Sequence, residues 1–224
     1  MKQLERIIRV TGQGKISVPP DTTRLNFRLN GFDVDYSETL AKSASETEKL
    51  KSLLSELGIN KSDIKTRSFD VNEESESYQE KKVWKRRFLG YSYTHRLKLE
   101  FPLDHSLLSR ILMHLGLNEM EPEIDIEYIV KDPNPVKNQL LAKAIQDSKQ
   151  KAEILANESG VKLGQILTID YSWGEIEIRS TTRYMDMGME AAPMMAKAEA
   201  SFALDIEPED IDLSDTVTVI YGID

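Results

Sequence analysis

The stretch from Lys131 to Tyr171 constrains the fold more than any other part of the chain. Apolar residues recur in it at helical spacing after Asn134 and Pro135, and this periodicity stops at Gly160. Asparagine favours the position that caps a helix and proline the first helical position, whereas glycine adopts the left-handed backbone that ends one. The alternating residues beyond the glycine are typical of a strand. The stretch therefore predicts a long helix that turns at Gly160 and leads directly into a strand.

Alternating apolar and polar residues predict β-strands along much of the remaining chain. The alternation runs from Ile8 to Val18, stops at Pro19-Pro20-Asp21 and resumes from Leu25 to Leu29. Because proline presets a turn and cannot donate to a strand ladder, we expect these first two strands to form an antiparallel hairpin. Further strands are predicted at Ile64–Val71, with a bulge between Thr66 and Phe69, and at Leu89–Phe101, Ile124–Val130, Leu167–Trp173, Ala200–Ile206 and Asp215–Tyr221.

Two further helices are indicated by their end signals. Asp35 and Glu38 have the spacing of a capping box, and the helix that they begin is predicted to end at Gly58. Asp104 is predicted to cap a shorter helix that ends at Gly116.

The predicted order of elements is ββαββαβαβββ. Hairpins dominate this order and helices are inserted as long crossovers, so we expect an α+β fold with antiparallel sheets rather than a doubly wound parallel sheet. A helix–glycine–strand unit occurs twice in the sequence. We therefore expect one domain, 1–224, with two lobes of about 1–101 and 102–224.

Charge and composition exclude several classes of function. The net charge of −9 opposes contact with phosphate backbones, so no nucleic-acid partner is expected. The absence of cysteine excludes thiol nucleophiles, thiolate metal sites and disulfides. No run approaches the roughly 18 apolar residues that cross a bilayer, so no transmembrane segment is expected. The first residues lack the apolar region of an export signal, which predicts a cytoplasmic protein if Met1 is native, or a periplasmic or secreted one if a signal has been removed.

No pattern typical of a catalytic centre is present. The histidines are His95, His105 and His114, and no two have the i, i+4 spacing that places both imidazoles on one helix face. Gly12 and Gly14 lie inside a strand, which indicates a bulge or close packing rather than a phosphate-binding loop. His95 falls on the apolar face of its strand, which favours a hydrogen-bonded core histidine. We expect no enzymatic activity and no cofactor.

Five of the eight methionines cluster between Met185 and Met195. They lie in a segment, 175–197, that lacks periodicity and is predicted to be a flexible excursion. Flexible thioethers fill irregular gaps or subunit contacts, and Met194 and Met195 are candidates for such contacts. Two alternatives are sacrificial oxidation to sulfoxide and soft ligation of Cu(I) by Met185, Met187 and Met189.

A second unusual segment is the predicted hairpin tip at Tyr78–Arg87, which is acidic first and then basic. Oppositely charged arms attract each other across a hairpin, and this packing is one interpretation. Trp84 is accompanied by Arg86 and Arg87, and aromatic and arginine side chains dominate protein interfaces. The alternative interpretation is therefore a partner-binding surface.

Several segments form an ordered series along nearly the whole chain: VTGQGKISVPPDTTRLNF at Val10–Phe27, LGINKSDIKT at Leu57–Thr66, GYSYTHRLKLEF at Gly90–Phe101, DSKQKAEILANESGVKLGQI at Asp147–Ile166, Pro193-Met194-Met195 and the closing DTVTVIYGI. These segments resemble the successive signatures of the SIMPL-domain family. The chain departs from the pattern at Pro208-Glu209, where many relatives have Pro-Gly before the last strand, and in lacking their export signal.

The resemblance carries expectations about function. The family includes bacterial periplasmic immunogenic proteins, an oxidative-stress-defence protein and an animal protein that associates with a pelle-like kinase; some bacterial relatives form large rings or channel-like oligomers. It has no agreed catalytic residues. The resemblance implies a non-enzymatic, self-assembling protein, a homo-oligomer linked to stress or envelope physiology. The alternatives are an adaptor that binds a signalling protein through the Trp84 hairpin, and a methionine-rich Cu(I)-binding or redox-buffering module.

Overall fold

The structure is a computed structural model that describes residues 6–118, 120–171 and 207–224, and the backbone of 179–181. Its elements are β1 (Ile7–Val18), β2 (Thr22–Asp33), α1 (Tyr36–Glu56), β3 (Lys65–Glu80), β4 (Val83–Pro102), α2 (His105–Leu117), β5 (Glu123–Ile129), α3 (Asn134–Glu158), β6 (Leu163–Asp170), β7 (Arg179–Thr181) and β8 (Ile211–Ile223). Helices and antiparallel sheets are combined, so the predicted α+β class is confirmed. The predicted strand 200–206 and most of the excursion 175–197 lie outside the described residues.

The described residues belong to two compact units, with boundaries after Asp21 and Tyr128. One unit contains β1, α3, β6 and β8, which form a sheet of order β1-β8-β6 with its helix. The other contains α1, α2 and strands β2 to β5, which form a sheet of order β3-β4-β2-β5. These boundaries differ from the predicted one near 101/102, because β4 pairs with β2 and α2 packs in the same core as both strands.

The predicted hairpin of the first two strands is wrong. β1 pairs along its whole length with β8, and β2 pairs with β4. The two prolines between β1 and β2 have no N–H to contribute to a ladder. The N–H of Asp21 instead donates to the carbonyl of Ile129 (3.1 Å), and its carboxylate accepts from the N–H of Lys131 (2.9 Å). The short link therefore leads the chain out of one sheet and into the other.

Helix α3 lies against the three-stranded sheet through a row of mostly small residues spaced by four. Its buried positions are Val136, Leu140, Ala144, Ser148, Ala152 and Ala156. The helix begins one residue earlier than predicted: Pro133 is the cap, and Asp132 accepts from the N–H of Asn134 (3.1 Å). Gly160, with φ of +66°, follows its end, as predicted.

The small residues of α3 meet Gly12 and Gly14 of β1. A Cβ on Gly12 would lie 2.0 Å from the carbonyl oxygen of Ala144, and one on Gly14 would lie 2.1 Å from that of Leu140. The pairing of β1 with β8 continues through both glycines without a register shift. Of the two predicted explanations, close packing is therefore correct and a bulge is not.

Replacing Gly12 by alanine should lower the free energy of unfolding by about 3 kcal/mol, because the new methyl group must push the backbone of α3 away. Gly222→Ala on the paired strand β8 is the matched control, since its Cβ would have no neighbour closer than 3.9 Å. Urea unfolding of the two variants measures the difference. Equal stability of the two variants would contradict the packing described.

The core of the second unit lies between its sheet and helices α1 and α2. It consists of Leu25, Phe27, Leu29, Leu50, Leu53, Leu54, Ile64, Tyr93, Leu97, Leu99, Phe101, Leu108, Ile111, Leu115, Met120, Ile126 and Tyr128. Asp35 caps α1 by accepting from the N–H groups of Ser37 and Glu38, as the capping spacing predicts. The predicted bulge between Thr66 and Phe69 is confirmed, because the pairing of β3 with β4 skips Arg67.

His95 on β4 is half-buried and hydrogen-bonded at both ring nitrogens. Nδ1 lies 2.9 Å from the hydroxyl of Thr47 and Nε2 lies 2.9 Å from that of Thr66. The ring of Phe69 packs edge-on at 5.1 Å. Burial lowers the pKa of His95, and the positive charge of Lys51 lowers it further. The side chain is therefore neutral and structural at neutral pH, as the sequence pattern predicted.

The lowered pKa of His95 makes stability depend on pH. The unfolded chain takes up a proton as the pH falls through the ordinary value of 6.5, whereas folded His95 resists it. The His95 contribution is thus fully present above pH 6.5 and is lost as the pH falls towards the lowered folded pKa. Urea unfolding at several pH values should show a smaller loss of stability for His95→Gln than for the wild type. Parallel curves for the two proteins would contradict this account, since both retain His105 and His114.

Candidate interaction arm

Strands β3 and β4 extend beyond the rest of their sheet as a two-stranded arm. β2 ends at Asp33, opposite Tyr91 of β4, while β3 and β4 remain paired through Glu80 and Val83. We call residues 74–90 the arm. Within the part of the chain that the structure describes, no third strand pairs with either edge of the arm. Two-stranded hairpins are marginally stable in water, so such an arm gains from a covering partner.

The root of the arm is fixed by aromatic contacts. The ring of Tyr91 meets Phe88 at 5.3 Å and Tyr36 of α1 at 5.2 Å, both in edge-to-face geometry. Gly90 has φ of +151°, and a Cβ there would lie 2.4 Å from the carbonyl oxygen of Asp33. The arm therefore leaves the sheet from a closely packed position.

One face of the arm is neutralised by its own ion pairs. Glu76 pairs with Arg87, directly opposite in the register, and Glu80 pairs with Lys85 at 2.5 Å. Opposite charges across strands contribute roughly 0.2–1 kcal/mol each. The predicted attraction between the acidic and basic halves of the hairpin is present on this side, which we call the paired face.

The other side of the arm, the open face, carries no carboxylate. The register places Ser75, Ser77 and Gln79 opposite Phe88, Arg86 and Trp84. Trp84 is 70% exposed and Phe88 is 46% exposed. Arg86 donates through Nε to the hydroxyl of Ser75. Two exposed aromatic rings therefore flank a guanidinium that has no carboxylate partner among the described residues.

The structure separates the three arm residues that the sequence placed together. Trp84 and Arg86 share the open face, whereas Arg87 lies on the paired face with Glu76. Period-two alternation from Trp84 contains this information, since Arg87 is an odd number of positions away. Phe88 lies just outside the predicted tip at Tyr78–Arg87, but it is in phase with Trp84 and joins the open face.

The turn at the end of the arm has an unfavourable backbone for its residues. Lys81 and Lys82 both have positive φ, +50° and +67°. This two-residue geometry favours Asn-Gly, and other L-residues in the left-handed region cost roughly 1–2 kcal/mol each. The lysines instead place two positive charges at the tip.

The arm differs in charge from the rest of the chain. Residues 74–90 contain five basic and three acidic residues, a net charge of +2. Since the whole chain carries −9, the remaining residues carry −11. A positive arm therefore projects from a negative protein.

The edge of β1, in contrast, is covered within its own unit. The N–H of Gln13 donates to the carboxylate of Asp147 at 2.7 Å. Lys151 donates to the carbonyl of Thr11 at 3.1 Å, and Lys143 to that of Lys15 at 3.3 Å. Lys151, followed by the Gln13 N–H, lowers the pKa of Asp147, so the carboxylate stays charged. Helix side chains thus occupy the groups through which another strand would pair.

The predicted methionine sites lie outside the described residues; they are Met185, Met187, Met189, Met194 and Met195. Among those that are described, no three histidine or carboxylate side chains are arranged to hold a metal ion. No described helix is long and apolar enough to cross a membrane.

Comparison with known proteins finds sequence relatives and a matching family model. The chain is 26% identical over 216 residues to the uncharacterized protein YggE of Edwardsiella ictaluri (strain 93-146), an alignment that covers 95% of this chain and 85% of that protein. It is 25% identical over 166 residues to the 26 kDa periplasmic immunogenic protein of Brucella abortus (strain S19), covering 72% of this chain and 65% of that protein. The family model SIMPL, described as a protein of unknown function (DUF541), matches residues 8–221. The chain therefore belongs to the SIMPL family.

Proposed function

We propose that this chain is a non-enzymatic SIMPL protein that assembles with copies of itself through the open face of its arm. The observation that carries the proposal is the exposure of Trp84 beside Phe88 and Arg86 on a ribbon that has both edges unpaired in the described structure. Tryptophan and arginine are the residues most enriched among those that dominate binding energy.

A second copy of the chain is the occupant that charge favours. The arm carries +2 and the remainder of the same chain −11, so an arm from one copy is attracted to the body of another. A contact between an arm and a different surface is heterologous, and repeated contacts of this kind form closed rings or open filaments. The ring or channel-like assemblies expected from the family resemblance are of this type.

The setting of this assembly is proposed to be the cell envelope under stress. The Brucella relative is named as periplasmic, which supports the periplasmic alternative over the cytoplasmic expectation for this chain. The link to stress rests on the family resemblance. Fractionation of cells that express the full natural protein distinguishes the two compartments.

Introducing a negative charge on the open face should break the assembly. Trp84→Glu removes the largest exposed aromatic side chain and opposes the negative body of the neighbouring copy, so the dissociation constant should rise at least about thirtyfold, equivalent to about 2 kcal/mol. Light scattering after size-exclusion chromatography should show the wild type as an oligomer and the variant as a 25.5 kDa monomer at micromolar concentration.

Tyr78→Ala is the matched control, because Tyr78 is an exposed aromatic residue on the paired face of the same arm. It should leave the oligomer intact. A monomeric wild type, or an oligomer unaffected by Trp84→Glu, refutes self-assembly through this face. A wild type that stays monomeric leaves the adaptor alternative for the same residues.

Substitution of the two tip lysines separates the effect of the arm's stability on association from the effect of its charge. The double variant Lys81→Asn, Lys82→Gly suits the turn and should stabilise the arm locally by about 1 kcal/mol, seen as slower hydrogen exchange of its amides. The same change reduces the arm's net charge from +2 to zero, so association and its sensitivity to salt should both decrease. A stabilised arm that associates more tightly would show that order, and not charge, limits assembly.

A further inference from the structure

The second unit has a polar cleft on the side of its sheet that faces away from the hydrophobic core. The cleft has a volume of about 540 Å³, within the range of small-molecule sites. Its lining includes Arg28, Arg67 and Arg96 on one side and Glu123, Asp125 and Glu127 on the other. Equal numbers of positive and negative groups do not by themselves indicate a ligand, so the hydrogen bonds of each group decide what the cleft can bind.

The carboxylates of the cleft are occupied by neighbouring strand residues. Glu123 accepts from Arg28 (2.7 Å) and from Asn30 (3.0 Å), and Asp125 accepts from Asn26 (3.1 Å). Glu127 is buried and accepts from Arg24 at 3.1 Å. These contacts form a ladder between β2 and β5.

The guanidinium groups, in contrast, have N–H donors without an acceptor among the described residues. In the described structure each of the three arginines donates hydrogen bonds only through Nη1. Arg28 donates to Glu123, and Arg67 donates to Asn26. Arg96 donates to both Ser68 and Asp70. A guanidinium has five N–H donors and Nη1 supplies two of them. At least three donors of each arginine therefore have no acceptor among the described residues.

Two of these arginines repel each other across the sheet. Arg28 and Arg96 lie directly opposite each other on β2 and β4, where like charges destabilise a sheet. Their carboxylate partners lie to the outer sides, Glu123 beyond Arg28 and Asp70 beyond Arg96. The space between the two guanidiniums is therefore positive.

Arg67 is directed into the same cleft by the β-bulge. It is the extra residue between Thr66 and Ser68, and its side chain crosses β4 to reach Asn26 of β2 at 3.2 Å. Bulges re-aim a side chain next to functional sites more often than elsewhere in a sheet.

We propose that this cleft binds a small molecule through its carboxylate or phosphate group, which Arg28, Arg67 and Arg96 hold together. Arginine presents paired N–H groups that match the oxygens of both anions. The side chains of Arg28 and Arg96 are 45% and 44% exposed, so a ligand can reach them from solvent. The site goes beyond self-assembly and does not depend on it.

The reagent phenylglyoxal modifies accessible arginine side chains, and a bound anion should slow this modification. Mass spectrometry of the full-length protein measures the rate at each arginine and so tests the site. Inorganic phosphate and succinate are the two probes. One or both should slow modification of Arg28, Arg67 and Arg96 at tens of millimolar or below, since a few charged hydrogen bonds give a dissociation constant on the order of 1 mM. Exposed Arg110 on α2 is the internal control and should react at an unchanged rate. The probe that protects at the lower concentration identifies the anion class.

The variant Arg67→Gln keeps a donor for Asn26 and removes the guanidinium. Protection of Arg96 should then require about tenfold more of the protecting anion, whereas Arg110→Gln should leave it unchanged. The proposal is overturned if neither probe protects the cleft arginines, if Arg110 is protected to the same extent, or if Arg67→Gln folds and protects Arg96 as the wild type does.

Discussion

The pairing of β1 with β8 is the constraint on which the rest of the structure depends. It joins the two ends of the chain over twelve consecutive residue pairs, from Ile7 opposite Gly222 to Val18 opposite Ile211. Because β8 occupies one edge of β1 and side chains of α3 cover the other, β2 pairs instead with β4. The residues from β2 to β5 are thereby enclosed within the sequence of the other unit. Gly12 and Gly14 let α3 approach this pair closely, and side chains of α3 then cover the edge of β1.

Local features of the fold are predictable from the sequence because their causes are local. The cap at Asp35, the left-handed glycines that end α1 and α3, and the bulge beside Thr66 are each encoded by residues a few positions apart. The partners of β1 are not predictable in this way, since nothing near Pro19 and Pro20 distinguishes a hairpin turn from a link between two sheets. Burial on α1 also depends on tertiary packing: the apolar residue Ala44 is exposed, while the polar residue Thr39 is buried.

In the candidate sites, too, some features are predictable from the local sequence and others depend on strand pairing. Trp84 and Arg86 are recognisable from composition, but their separation from Arg87 requires the phase of the strand, and the spare donors of the cleft require the register of three strands. Arg28, Arg67 and Arg96 are 39 and 29 positions apart in the sequence, a spacing that matches no motif. The bulge that contains Arg67 is predictable from the sequence. The gathering of its positive charge with those of Arg28 and Arg96 is not. Arm and cleft are built from β3 and β4, so the longest pairing of the second unit supports both.

The long separation in sequence between β1 and its partner β8 has a consequence for biosynthesis. The ribosome must add 192 residues after Val18 before Ile211 exists, which takes on the order of 10 to 40 s at ordinary translation rates. During that time β1 is a nascent strand with no partner and, until α3 emerges, no cover for its edge. Its outward charges, Arg9 and Lys15, and the two prolines that follow it oppose pairing with other nascent chains. The prolines that end β1 in the folded protein thus also oppose aggregation of the growing polypeptide.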